Sequence, residues 1–158
     1  LAHGFAFRFQ REHFGSLASP LEEVKAEVFG VLFLYWLAER GIITHEVAEE
    51  AALACIADSI REIRVSPEEA HAVGALIRYN YLRRMALDVE GERIVIAREF
   101  LHDAFSLLGD QLYYLSQTCS AEFARSFVEE LGVVPDELRS IVESLEDLPV
   151  DIDPIFRV

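Results

Sequence analysis

The sequence predicts a mainly α-helical chain with one small β-hairpin. Three observations carry that expectation. Apolar residues recur at helical spacing through most of the 158 residues. Two segments open with Ser-Pro and a glutamate three residues after the serine, a helix-start signature. The helical period gives way once, between Leu87 and Ala97, where two short runs rich in Val and Ile flank Glu90 and Gly91.

Residues 5 to 18 mix aromatics with Arg8, Arg11, Glu12 and His13 and end in GSLASP, which reads as the end of a helix and a turn. Ser19 is then placed as an N-cap, with Pro20 at the first helical position and Glu22 completing the signature. This helix runs through VFGVLFLYWLA and is expected to stop near Gly41, after a charged last turn. Thr44 caps a helix over 45–63, whose apolar stripe (Val47, Ala51, Ala54, Cys55, Asp58, Ile60) assigns it to packing. Ser66, Pro67 and Glu69 open a helix over 67–85 that contains His71 and Tyr79 and ends in Arg83 and Arg84. After the hairpin, helices are expected over 98–118, 120–131 and 135–146, with Gly132 and Pro135 separating the last two. The Pro- and Asp-rich residues 149–158 are expected to lie extended over the surface.

With 52% hydrophobic and 11% aromatic residues, the chain can bury one core, and residues 1–158 are read as a single domain. Acidic residues outnumber basic ones 28 to 14, and the resulting charge of −14 argues against nucleic acid or an anionic membrane as partner. The longest apolar run, Val28 to Ala38, is about half a bilayer span. Cys55 and Cys119 lack the spacing of a metal knuckle or redox motif, and reduced thiols accord with a cytoplasmic location. The abrupt apolar opening LAHGFAFRF reads as the middle of something longer, so the chain is expected to be part of a larger polypeptide.

The chemistry-bearing residues begin with Glu23 and Glu27, four apart and so on one helical face. That face leads into an apolar segment, and a carboxylate carried inward is costly unless it is paired, hydrogen-bonded or metal-bound. The residues alone leave two readings open: both acids stay at the wet, dipole-positive end of the helix, or they belong to a metal site. His3 is preceded by Leu-Ala and followed by Gly, so His-Glu directly ahead of Leu1 would complete HELAHG, an HExxH arrangement that binds zinc. A lone histidine is otherwise unremarkable. His45-Glu46 and His102-Asp103 are adjacent pairs pointing about 100° apart on a helix, so neither makes a site by itself. Ser66 and Ser106 have no base pattern nearby, and neither a phosphate-binding glycine loop nor a Nudix box occurs.

Read in order, His3-Gly4, the Ser19–Gly30 segment SPLEEVKAEVFG, then Ile63, Arg64, Glu69, Ala70 and His71, then Asn80 to Leu82, and finally Pro149 to Phe156 resemble the dipeptidyl peptidase III family of zinc metallopeptidases. The likeness is to its bacterial and plant branch, whose members are often labelled Nudix hydrolase-like. That resemblance implies the later, helical part of a zincin-like catalytic domain with one small hairpin. It implies Zn²⁺ as cofactor, His3 and Glu23 as zinc ligands, and Glu27 as the acid that orients a ligating histidine through its other ring nitrogen. His71 falls on the active-site histidine that steadies the tetrahedral intermediate.

The first zinc histidine and the glutamate base of HExxHG are not among the 158 residues, so the chain alone is expected to be inactive. Phe5 to Phe9 stand where relatives carry a glycine-proline turn, and Val73, Gly74 and Ala75 stand where relatives carry small residues and an asparagine. The expected function of the full-length protein is zinc-dependent release of dipeptides from the N-termini of short peptides. Its partners would be a peptide substrate and the upstream half of its own polypeptide. The alternative is a non-catalytic helical interaction module derived from such a peptidase.

Overall fold

A computed structural model describes residues 9, 11–65, 68–118, 120–145 and 147. His3, the Ser66-Pro67 pair, Cys119 and the tail 149–158 therefore lie outside the described residues. The rest is helical apart from one two-stranded antiparallel sheet, as the sequence predicts. The helices are α1 (Arg11–Phe14), α2 (Ala18–Glu39), α3 (His45–Val65), α4 (Ala70–Leu82), α5 (Leu101–Thr118), α6 (Ala121–Leu131) and α7 (Asp136–Ser144). Strands β1 (Leu87–Glu90) and β2 (Arg93–Ile96) stand between α4 and α5.

Ser19 does not cap α2. Leu17 and Ala18 already hold right-handed helical dihedrals, and the chain enters α2 directly from a 3₁₀ turn over Gly15–Leu17. Pro20 is tolerated there because the first backbone N–H groups of a helix have no intrahelical acceptor in any case. The other end behaves as expected. Gly41 adopts φ +67, its N–H donates to the Ala38 carbonyl at 2.9 Å, and Ile42 N–H donates to Leu37 at 3.0 Å, a Schellman closure.

Thr44 Oγ1 accepts from Val47 N–H at 3.3 Å and starts α3 as predicted. The buried face of α3 is Ala48, Ala52, Ile56, Ser59, Ile60 and Ile63, about one residue round from the predicted stripe, and Val47 is exposed. Helix α4 is shorter than expected at both ends. Its N-cap, Glu69, is extended, and after Leu82 the chain turns so that Ala86 can accept from Ala97 N–H at 2.9 Å and close the base of the hairpin. The hairpin pairs Leu87 with Ile96 and Glu90 with Arg93 across a two-residue turn led by Gly91. Ser120 Oγ accepts from Phe123 N–H at 3.2 Å and caps α6.

Helices α2, α3 and α4 pack against one another, and α5 closes over α2 and α4. Leu21, Leu76, Ile77, Tyr79, Leu82, Phe105, Leu108, Leu112 and Leu115 fill the space between them. Asn80, within the Asn80–Leu82 motif, ties α4 to the end of α6: its Nδ2 donates to the carbonyls of Leu131 at 2.7 Å and Val133 at 2.8 Å. Among the described residues no helix is long and apolar enough to cross a membrane.

Candidate metal and peptide site

The crossing of α2 and α4 is set by a glycine. A Cβ on Gly74 would stand 3.1 Å from Glu23 Cβ, 3.1 Å from Val24 N and 3.2 Å from the Pro20 carbonyl, so any larger residue would push the two backbones apart by a few tenths of an ångström. Two carboxylates of α2 then meet two nitrogen-bearing side chains of α4 in ascending order: Glu23 faces the His71 imidazole, and one turn on, Glu27 faces the Arg78 guanidinium. His71 and Arg78, seven residues apart, share a face of α4 for the same reason that Glu23 and Glu27 share one of α2.

Glu23 Oε2 lies 3.2 Å from His71 Nε2, and both side chains are open to solvent, 36% and 63% exposed. Neither acid is therefore sunk in the apolar interior that the sequence of α2 suggested. The greasy half of the helix begins beyond them, at Val28, Phe29 and Val31. Glu22 is engaged elsewhere, accepting from Phe9 N–H and pairing with Lys25.

Arg78 is the residue that sequence reasoning missed. Its side chain is fully buried, yet every face of the guanidinium meets an acceptor or an acid. Nε and Nη2 donate to Ser59 Oγ at 3.0 and 2.8 Å, Nη2 also donates to the Cys55 carbonyl at 3.2 Å, and Nη1 pairs with Glu27. Glu62 Oε2 stands 3.8 Å from Nη2. Burial lowers the Arg78 pKa to about 10, which still leaves it charged at neutral pH. Removing the Glu27 carboxylate would leave the buried guanidinium uncompensated, a loss of about 3–5 kcal/mol for a buried charge. The sequence carried half of a signal: an arginine inside the apolar run GALIRYNYL needs an acid, but nothing local says which one.

Carboxylate oxygens of Glu27, Asp58 and Glu62 lie within 4.8 Å of one another, so the α2–α3 face is strongly acidic. Burial first, and then the neighbouring Asp58 charge, push the Glu62 pKa up, with Glu23 adding to the rise while His71 and Arg61 oppose it. The Cys55 thiol is pushed up to about 12, by burial first and then by Asp58 and Glu62.

The donor chemistry fits zinc at Glu23 better than at Glu27. Glu23 offers an accessible carboxylate oxygen, a donor that zinc takes, whereas the Glu27 carboxylate is already paired with the Arg78 guanidinium. The sequence-predicted residues Glu23, Glu27 and His71 thus stand together, while His3 lies outside the described residues. A separate cleft of about 370 Å³ between α2 and α5 is lined by Trp36, Glu39, His102 and Asp110, and Glu23, Glu27 and His71 do not line it.

No protein-family model matches the sequence. Nudix hydrolase 3 of Arabidopsis thaliana is 25% identical over 150 residues, which cover 92% of this chain and 19% of that protein. The solved structure of dipeptidyl peptidase III from Caldithrix abyssi superposes with a TM-score of 0.86 at 25% identity, covering 93% of this chain and 29% of that one. Dipeptidyl peptidase III from Corallococcus sp. strain EGB gives 0.84 at 25% identity, covering 92% of this chain and 27% of that one. The chain thus spans less than a third of the length of these three proteins. Over that span it has a dipeptidyl peptidase III-like fold.

Proposed function

We propose that residues 1–158 are one unit of a larger zinc-dependent peptidase of dipeptidyl peptidase III type, which removes dipeptides from the N-termini of short peptides. The observation that carries this reading is the 3.2 Å approach of Glu23 to His71, because it joins the two residues that the family resemblance assigns to one site. His3 and Glu23 would hold the zinc, together with a histidine from the upstream part of the polypeptide. When bound, zinc supplies Lewis-acid polarisation of the scissile carbonyl and activation of water.

This chain's residues then divide the remaining work. Glu23 offers its carboxylate oxygen, and its exposure leaves room for substrate beside it. Glu27 would accept the second ring N–H of a ligating histidine and so fix that ring's tautomer and direction. His71, beside Glu23 at the open mouth of the α2–α4 crossing, would donate a hydrogen bond to the oxygen on which negative charge develops. The general base would be the glutamate of an HExxH motif completed ahead of His3.

Two measurements test this. The gene upstream of the Leu1 codon is expected to encode His-Glu directly before it, and any other pair there rules the peptidase reading out. The full-length protein is expected to release dipeptides from a dipeptidyl arylamide, to lose that activity to a zinc chelator and to regain it with Zn²⁺. A well-folded full-length protein that binds no zinc and cleaves nothing would instead favour the non-catalytic interaction module.

A further inference from the structure

We propose that Arg78 is a positioning residue, the built-in cation of the Glu27, Asp58 and Glu62 carboxylates, whose guanidinium fixes Glu27 in place. Three carboxylates this close are the kind of arrangement that hard divalent cations occupy. Here a guanidinium already stands against two of them, with Glu27 on Nη1 and Glu62 3.8 Å from Nη2. Its orientation is imposed from α3. Ser59 takes the edge formed by Nε and Nη2, and the Cys55 carbonyl takes Nη2 again, which leaves Nη1 to face α2. A lysine ammonium has no such edges, so the planar fork is needed to hold a serine on one side and a carboxylate on the other. The Ser59 hydroxyl is 1% exposed and in turn donates to the Cys55 carbonyl at 3.0 Å, so the support beneath Arg78 is itself fixed.

The consequence for the site rests on the peptidase reading: a carboxylate that is to orient a zinc-bound histidine must not move, and Arg78 is what stops Glu27 from moving. The test uses the full-length protein and the rate at which zinc passes to an excess of chelator. Arg78→Met is expected to accelerate the loss on the order of 10–100-fold, the usual cost of disturbing the groups behind a metal ligand. Arg78→Lys should recover only part of this, and Ser59→Ala, which keeps the charge but frees the fork, should also accelerate the loss. In a Glu27→Gln background Arg78→Met should add nothing. Wild-type zinc retention in Arg78→Met, or an undiminished effect in the Glu27→Gln background, overturns the proposal. If Arg78→Met does not fold, Ser59→Ala decides by the same criterion.

If the wild-type protein holds no zinc, the peptidase reading fails by itself and Arg78 is judged by thermal unfolding. The Glu27→Gln/Arg78→Met pair should then lower Tm by clearly less than the sum of its single shifts, and additive shifts overturn the role. Millimolar Mg²⁺ should leave the wild-type Tm unchanged. A rise abolished by Glu62→Gln would mean that the carboxylates hold an ion in place of Arg78, and would overturn it too.

Discussion

Glu23 on α2 and His71 on α4 face each other at 3.2 Å, and the distance is set by Gly74, whose missing side chain lets the two helix backbones come together one turn beyond His71. A sequence motif of acids and a second motif around a histidine are brought side by side at that crossing.

Gly74→Ala should therefore destabilise the fold by about 1–3 kcal/mol in denaturant unfolding, since the new methyl meets the backbone of Pro20 and Val24, which cannot step aside. Gly109→Ala is the control. There the closest atom, 2.9 Å away, is Cδ1 of Leu32, the mobile end of a side chain, and the loss should be smaller. Equal losses at the two glycines would mean that the crossing is not backbone-limited.

Asn80 satisfies two carbonyls, one at the last residue of α6, Leu131, and one in the connection to α7, Val133. Asn80→Ala should cost about 1–3 kcal/mol, because the part-buried Leu131 carbonyl is left without its donor. Thermal unfolding within a degree of wild type would contradict this.

Much of the fold was legible because the stop and start signals were local. Gly41 and Thr44 each act within a few residues and behave as the sequence predicts, and the hairpin stands where expected, with its turn on Gly91 and Glu92 rather than on Glu90 and Gly91. Ser19 failed as a cap because the preceding 3₁₀ turn had already begun the helix, which depends on how Phe14 and Ala18 are buried rather than on the Ser-Pro signature. In the site, Glu23, Glu27 and His71 were readable as motif residues. Arg78 was not, since its meaning comes only from Ser59 and Glu27, on two other helices, and no single stretch of sequence contains that relationship.

Cys55 should behave as an inert thiol. With its pKa at about 12 against an ordinary 9.0, alkylation by iodoacetamide in the native state at pH 9 should run on the order of 10²–10³-fold slower than for an exposed thiol, and should become fast on unfolding. The sign for stability follows: the unfolded chain gives up this proton first, so the Cys55 contribution is intact below about pH 9 and declines as pH rises toward 12. A Cys55→Ala variant should flatten that alkaline decline. Rapid native-state labelling at Cys55 would contradict the account.

His71→Ala in the full-length protein should lower kcat by about 10²–10³-fold, the usual cost of losing one donor to a developing oxyanion, with zinc content retained. Near-normal turnover would remove His71 from the chemistry. Loss of zinc along with activity would make it a ligand or a support for one instead.

The central claim is that Glu23 is a metal ligand, and the most direct test is the zinc content of the purified full-length protein beside its Glu23→Ala variant, with folding of both checked by circular dichroism. The account predicts one zinc per chain in the wild type and little or none in the variant. A variant that folds and keeps its full complement of zinc would contradict it.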